Sequence, residues 1–309
     1  MLKRLFSAGL FSAGLIAALM LSNAMAREVT HAMGVTEVPD HPQRVVILTN
    51  EGTEALLHLG VVPVGAAQSW DADPFYPHLV PLLGDAVSLG TETAINLELV
   101  AALEPDLIIG TKVRQEKIYE QLSAIAPTVM SETIGESWLK NYQFYGEVLG
   151  LGEQAAANVA ALEARAKQLA AAIGDGVNEQ ISLVRFSPSR TRLYFRGSFP
   201  GVVLDLVGFK RPPAQDHLET FTEVQKERIP EMAGDRIFYF SSDNDNEEDK
   251  ANMDEWLADP LWLNLAAVKA GKAQRVGELA WNAGGGIYCA YMMLDDLAEI
   301  YGVTLPPAS

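Results

Sequence analysis

One pattern occurs twice in this chain, and it limits the possible fold more than any other feature. Residues 96–110 read "NLELVAALEPDLIIG" and residues 221–240 read "FTEVQKERIPEMAGDRIFYF". Each has a short polar cap and a glutamate, Glu98 or Glu223, near its start, runs through a helical turn or two, meets a proline or glycine, and reaches an aspartate before an apolar strand. The repetition predicts two similar α/β lobes that close on something between them, with one glutamate of each lobe available to signal the closure.

The periodicity around the first copy supports the α/β class. Residues 45–48 form a short aliphatic run, residues 51–59 have helical spacing, and residues 61–67 form a second strand-like run. This order is typical of a βαβ unit in a parallel sheet. Residues 107–109 are aliphatic throughout, as in a strand that is buried on both faces.

A long helix is expected near the middle of the chain. Residues 153–173 are rich in alanine and carry apolar residues three and four positions apart, which gives one apolar stripe. The expected architecture is therefore two Rossmann-like lobes, residues 27–150 and residues 176–309, bridged by a single long α-helix within residues 151–175.

The first residues have the pattern of a secretory signal peptide. Lys3 and Arg4 precede an apolar run at residues 5–21, and "SNAMA" places small residues before a cleavage point after Ala26. A membrane anchor is the alternative, but the run contains serine and glycine and is short for spanning a bilayer. We expect residues 1–26 to be removed and the remaining chain to be exported to the periplasm.

Charge and cysteine content narrow the possible partners. The net charge is −17, and it becomes −19 when residues 1–26 are removed, because that segment contains two basic residues, Lys3 and Arg4, and no acidic ones. Such a balance argues against nucleic acid or an anionic membrane surface as a partner. The single cysteine, Cys289, excludes an internal disulfide and lies far from the cleavage point, so we expect no lipid anchor and a buried thiol.

The second lobe concentrates positive charge in "RFSPSRTRLYFR". The segment contains Arg185, Arg190, Arg192 and Arg196, with Tyr194 among them. A planar guanidinium makes paired hydrogen bonds to carboxylates, so this cluster indicates an anionic ligand, whereas solvated surface arginines are the alternative. Alternation along a strand prevents all four arginines from reaching one pocket. We favour Arg185 and Arg196 as ligand contacts, then Arg192, and we include Tyr194.

Candidate contacts of the first lobe follow the strand at residues 107–109. Lys112 and Arg114 come directly after it, at the carboxyl end where ligands of parallel sheets usually bind. Three tryptophans in polar or glycine-rich surroundings are candidate pocket aromatics: Trp70, Trp138 and Trp281. Trp281 is the preferred candidate because "NAGGG" follows it, where the backbone can approach a ligand closely.

No motif in the sequence indicates catalysis or a resident metal. The glycine run at residues 284–286 lacks both the GxGxxG pattern and the P-loop lysine. No nucleophile elbow or paired carboxylate motif is found. The histidines form no close ligand pair, although distant residues could still converge: His31, His41, His58, His78 and His217.

The resemblance to a known family is carried by four segments: "NLELVAALEPDLIIG", "YEQLSAIAPTV", "VRFSPSRTRLYFRGSFPGVVLDLVGFKRP" and "DPLWLNLAAVKAGKAQRVGELAWNAGGG". In content and order they resemble the substrate-binding proteins of bacterial ABC importers for iron(III) siderophores, whose two lobes are joined by one long helix. The last segment is similar to the iron-hydroxamate binding branch. The resemblance extends over nearly the whole chain after residue 26.

This resemblance implies capture of a ferric siderophore in a cleft between the lobes and its delivery to an ABC importer permease, without enzymatic chemistry. Glu98 and Glu223 match the glutamates that dock onto the permease. Trp281 matches an aromatic that packs on the ligand, and Arg114 lies where the family has a contact in the first lobe. Iron enters only as part of the ligand, so no cofactor or metal site of the protein is implied, and we expect a monomer.

The chemical class of the ligand is left open between hydroxamate and carboxylate or citrate siderophores. The hydroxamate branch has an arginine just before the "NLEL" segment, whereas this chain has Thr91 and Glu92. The arginines of residues 185–196 fit a carboxylate or citrate-based siderophore at least as well. Two further alternatives are the same fold holding cobalamin or haem, and a periplasmic enzyme that reduces or hydrolyses a siderophore.

Overall fold

The computed structural model describes residues 26–188, 190–242 and 247–306. The predicted signal peptide lies outside these ranges except for Ala26, so its cleavage stays a prediction. Within the described ranges, no helix is long and apolar enough to cross a bilayer.

The first lobe is built on a five-stranded parallel sheet, preceded by an antiparallel hairpin. The order across the sheet is β5, β4, β3, β6, β7, and each neighbouring pair is parallel. The hairpin and sheet strands are β1 (Ala26–His31), β2 (Gly34–Pro39), β3 (Val45–Ile47), β4 (Gly65–Gln68), β5 (Val87–Thr91), β6 (Leu107–Thr111) and β7 (Thr128–Ser131).

Two strand predictions for this lobe are informative. All five residues of β6 are buried, as predicted for a strand covered on both faces. The strand predicted at residues 61–67 begins only at Gly65. Pro63 has no N–H to donate, and the N–H of Val61 instead donates to the carbonyl of Leu56 at the end of the preceding helix.

The second lobe has a mixed five-stranded sheet, and here the repetition is incomplete. The order is β10, β9, β8, β11, β12; β8, β11 and β12 are parallel, whereas β9 is antiparallel to both neighbours. The short connection from β8 to β9 permits only an antiparallel pair. The strands are β8 (Ile181–Arg185), β9 (Thr191–Tyr194), β10 (Phe221–Val224), β11 (Arg236–Phe240) and β12 (Ala273–Arg275).

Helices cover the sheets of both lobes. Side chains of Thr49, Asn96, Ser198 and Asp259 cap four of them by accepting backbone N–H groups. The helices are α1 (Asn50–His58), α2 (Val80–Leu83), α3 (Leu97–Ala102), α4 (Lys112–Gln115), α5 (Tyr119–Ser123), α6 (Trp138–Val148), α7 (Gly152–Ile173), α8 (Phe199–Val207), α9 (Glu247–Leu257), α10 (Pro260–Leu263), α11 (Ala266–Lys269) and α12 (Ile287–Ile300).

Helix α7 is the predicted bridge between the lobes. Its 22 residues give a length of about 33 Å at 1.5 Å per residue. The predicted stripe is buried, including Val159, Leu162 and Leu169. One continuous hydrophobic cluster contains this stripe together with Leu56 of the first lobe and Leu183 of the second. The helix therefore lies in a core that both lobes share.

The aspartates that end the repeated pattern have the same structural role in both lobes. Asp106 accepts hydrogen bonds from the backbone N–H groups of Gln43 and Arg44, at 2.7 and 2.9 Å, just before β3. Asp235 accepts one from the N–H of Gln180 at 2.8 Å, just before β8. In each lobe the carboxylate fixes the start of the neighbouring strand, which explains why the pattern recurs.

Candidate functional site

A cavity of about 790 Å³ lies between the two lobes. In the first lobe its walls come from segments that follow the carboxyl ends of β3, β4, β5, β6 and β7, and in the second lobe they include Arg185, the last residue of β8. Ligands of open α/β sheets usually bind in the crevice outside the carboxyl ends of the strands. The charged and aromatic residues that line the cavity include Glu51, Trp70, Glu92, Arg114, Arg185, Arg192 and Glu278.

The first lobe contributes an arginine that rests against a buried glutamate. Arg114 is in α4, and its Nε lies 3.4 Å from Oε2 of Glu92. The other oxygen of Glu92 accepts hydrogen bonds from the backbone N–H and side-chain amide of Asn50. The guanidinium of Arg114 also lies 5.7 Å from the ring centroid of Trp70. These contacts hold the guanidinium at the cavity wall.

The second lobe repeats this pairing with different elements. Nε of Arg185 lies 2.6 Å from Oε1 of Glu278, whose side chain is only 1% exposed. Burial raises the pKa of Glu278, and the charge of Arg185 opposes that rise. Each lobe therefore presents to the cavity an arginine supported by a buried glutamate.

Side chains along β9 alternate between the cavity and the core, as predicted. Arg192 and Tyr194 line the cavity, whereas Leu193 lies in the hydrophobic core behind the sheet. The guanidinium of Arg192 lies 4.1 Å from the ring centroid of Phe221, which fixes its direction. Burial raises the pKa of Tyr194, so its hydroxyl keeps its proton.

Glu51 is a buried carboxyl group in the cavity wall. Asn141 Nδ2 donates to its Oε1 at 2.5 Å, the N–H of Gly135 donates to its Oε2 at 3.3 Å, and the hydroxyl of Tyr145 donates to its Oε1 at 3.3 Å. Burial outweighs these hydrogen bonds and raises the pKa of Glu51 to about 8. At neutral pH the group is therefore mainly uncharged.

Two predicted cations do not line this cavity. Nζ of Lys112 lies 3.1 Å from Oε1 of Glu132 on the protein surface. Arg196, one of the two favoured arginines, pairs instead with Asp205 at 2.9 Å and Asp216 at 3.1 Å. It lies beyond the end of β9, where the alternation of the strand no longer directs its side chain toward the cavity.

Two predicted tryptophans are core residues. Trp281 is fully buried, donates from Nε1 to Asp296 at 2.8 Å, and packs on Phe238. The glycine-rich turn does reach the cavity, but through the neighbours of Trp281, because this ring points into the core. Trp138 is 2% exposed and lies behind Phe199, a residue of the cavity wall. Trp70 is the predicted tryptophan that lines the cavity.

The two glutamates expected to dock onto a permease are both exposed. Glu98 is in the first turn of α3, beside the Asn96 cap. Glu223 lies in the strand β10 and not at a helix start, and its carboxylate is 3.8 Å from Nη1 of Arg190. One such glutamate is therefore available on each lobe, while their docking role stays a prediction.

Sequence reasoning missed the acidic half of the site. Glu92 appeared only as a departure from a family pattern, Glu278 lies in the last of the four resembling segments but was not singled out, and Glu51 belongs to no motif. The available signal was that the chain is strongly acidic yet has a cluster of arginines, which indicates that some carboxylates pair with arginines. It could not show which carboxylates are buried, because burial depends on contacts between segments far apart in sequence.

Comparison with known proteins gives a consistent result. A family model described as "Periplasmic binding protein" matches residues 45–277. The "Probable siderophore-binding lipoprotein YfiY" of Bacillus subtilis is 43% identical over 290 residues, covering 91% of this chain and 89% of that protein. The "Achromobactin-binding periplasmic protein" of Dickeya dadantii is 31% identical over 268 residues, covering 85% of this chain and 87% of that protein.

Solved structures show the same fold. Staphylococcus aureus SirA complexed with staphyloferrin B has a TM-score of 0.83 to this chain at 34% identity, and the match covers 90% of this chain and 99% of that one. Both lobes and the bridging helix therefore have counterparts in a protein whose complex with a siderophore is known.

Proposed function

This chain belongs to the periplasmic binding protein family, and from that premise we propose that it captures a ferric siderophore between its lobes and delivers it to an ABC-type importer. The relatives named above are binding proteins, so the chain is a binding protein and not an enzyme. We propose export to the periplasm as the setting, since one of these relatives is periplasmic.

The observation that supports an anionic ligand is a pair of arginines that line the cavity from opposite lobes, Arg114 and Arg185. In both, Nε is the atom that faces the supporting glutamate. A guanidinium has five N–H donors, so one such contact leaves donors for a ligand. Ferric complexes of carboxylate and citrate siderophores present anionic oxygens that match these donors.

We therefore propose a carboxylate or citrate-type ferric siderophore as the ligand. Arg114, Arg185 and Arg192 would neutralise its charge, and Trp70 and Tyr194 would contact its organic part. The molecule named for one relative supports this class: Fe(3+) dicitrate for a periplasmic protein of Escherichia coli, 28% identical over 289 residues. The importer would dock on Glu98 and Glu223, and the chain would act as a monomer.

Intrinsic fluorescence provides the test. Trp70 is 43% exposed in the cavity wall, so a ferric complex bound beside it should quench its emission. We would titrate the purified protein with ferric citrate, a ferric citrate-hydroxamate, ferrichrome, a ferric catecholate, haemin and cobalamin. Saturable quenching by the citrate-type complexes supports the proposal, whereas binding of haemin or cobalamin with no response to ferric complexes would overturn it.

Two matched variants locate the binding site. Arg185→Ala should weaken ferric citrate binding about 10- to 100-fold, since a hydrogen bond to a charged group contributes roughly 1.5–3 kcal/mol. Arg196→Ala removes the same charge from a residue outside the cavity and should leave the affinity unchanged. Equal losses in both variants would show that general charge, and not the cavity, determines binding.

A further inference from the structure

A second group of chemically reactive side chains lies outside the cavity, where the two lobes meet. It consists of Glu54 in α1, His78 in the segment before α2, and Cys289 in the first turn of α12. Sγ of Cys289 lies 2.9 Å from Oε1 of Glu54, and Nε2 of His78 lies 3.3 Å from the same oxygen. One ligand atom from each residue lies within 4.8 Å of the others.

We propose that Glu54, His78 and Cys289 bind a divalent transition-metal ion of the Zn²⁺ class. A carboxylate oxygen, an imidazole nitrogen and a thiolate sulfur are the three donor types of protein zinc sites, with metal–ligand distances of about 2.0–2.3 Å. Two of the donor separations are 2.9 and 3.3 Å and all three atoms lie within 4.8 Å of one another, so small shifts of the side chains would let them surround one ion. A water molecule would complete four-coordination.

The backbone around this cluster is shaped to keep it compact. A Cβ atom at Gly284 would lie 2.2 Å from Sγ of Cys289, and one at Gly286 would lie 2.6 Å from Oε2 of Glu54. Glycine at both positions lets the backbone approach the donors closely. The N–H of Cys289 donates to Oε2 of Glu54 at 3.1 Å, which holds the carboxylate in place and leaves Oε1 facing the other two donors.

Charge balance favours a bound ion. Glu54 and Cys289 are fully buried, and an ionised carboxylate in such a place is costly unless it is compensated. When M²⁺ binds Glu54, neutral His78 and the Cys289 thiolate, the thiol proton passes to solvent and the cluster becomes neutral. The side chain of His78 is 19% exposed, so an ion can enter from its side.

The site would connect the two lobes. Glu54 and His78 belong to the first lobe and Cys289 to the second, separated from Glu54 by 235 positions in the chain. A bound ion would add coordinate bonds across the interface beside the shared core. It would therefore limit relative motion of the lobes independently of any ligand in the cavity.

Binding of Co²⁺ reports selectively on Cys289. A thiolate ligand gives charge-transfer absorption, and Cys289 is the single cysteine of this sequence. We would titrate the ligand-free, metal-stripped protein with Co²⁺ alone and record thiolate-to-cobalt charge-transfer absorption, then add Zn²⁺ alone to displace it. We expect one Co²⁺ per chain with this absorption and its loss on zinc addition. Because no ferric ligand is used, the result does not depend on the proposed transport function.

Variants complete the experiment. Cys289→Ser should remove the charge-transfer band, and His78→Gln should weaken Zn²⁺ binding at least about 100-fold, since even loss of an outer-shell partner costs 10- to 100-fold. His41→Gln changes an exposed histidine elsewhere and should have no effect. Thermal melting in a chelator checks that each variant is folded. A folded wild-type protein without the band, or Zn²⁺ affinity unchanged in both cluster variants, would overturn the proposal.

Discussion

Replacement of Glu51 by glutamine tests the electrostatics of the cavity wall most directly. The pKa of this carboxyl group is raised from 4.5 to about 8 by burial. A carboxyl group whose pKa is higher in the folded than in the unfolded state stabilises the folded protein at pH values below its unfolded pKa. This stabilisation is lost as the pH rises through its folded pKa. The contribution of Glu51 to the free energy of unfolding should therefore fall as the pH rises from about 4.5 to about 8. An ion-paired carboxylate has a lowered pKa, so its contribution would instead increase with pH.

The size of the effect follows from the same two pKa values. At roughly 1.36 kcal/mol per pKa unit, the full difference is about 5 kcal/mol, of which about 2.7 kcal/mol falls between pH 6 and pH 9. For a chain of about 280 residues that corresponds to a decrease of roughly 4–5 °C in Tm. Glu51→Gln resembles the protonated group and cannot ionise, so it should lose this part of the pH dependence.

The assay is thermal unfolding at one scan rate from pH 6 to pH 9, comparing the wild type, Glu51→Gln and Glu147→Gln. Glu147 is an exposed glutamate of α6 and serves as the matched control. We expect the difference in Tm between Glu51→Gln and the wild type to grow in favour of the variant as pH rises, while Glu147→Gln runs parallel to the wild type. Parallel profiles for all three proteins would refute the reasoning, because they would mean that Glu51 is already ionised at pH 6.

Three other changes have clear expected outcomes. Glu278→Gln leaves Arg185 without its buried counter-charge, so we expect tighter binding of ferric citrate; weaker binding would contradict this. Glu98→Ala combined with Glu223→Ala should abolish uptake in cells while the affinity measured by fluorescence stays within about twofold, since both side chains are exposed and neither lines the cavity; a parallel loss of affinity would remove them from the importer face. Asp106→Ala should lower the free energy of unfolding by roughly 1–3 kcal/mol through the two lost backbone hydrogen bonds before β3, and an unchanged urea midpoint would show that this contact is not stabilising.

Local patterns predicted those parts of the molecule whose environment is set by neighbours in the sequence. The stripe of α7 and the alternation along β9 follow from the geometry of one helix and one strand. For the same reason the position of Arg114 in the cavity wall could be anticipated from the strand that precedes it.

Residues whose environment depends on distant segments could not be placed. Trp281 precedes a run of glycines, yet contacts with Phe238 and Asp296 turn its ring into the core. Arg196 lies beyond the end of β9, and its acidic neighbours in space, Asp205 and Asp216, pair with its side chain away from the cavity.

The placement of the cavity on connecting segments affects how the specificity of this chain can evolve. Arg114 and Trp70 lie on segments that follow the ends of strands, whereas the buried stripe of α7 and the strand interiors form the frame. Substitutions in connecting segments disturb stability less than substitutions in a packed core. New ligand preferences can therefore arise at these positions one residue at a time, without passing through unstable intermediates.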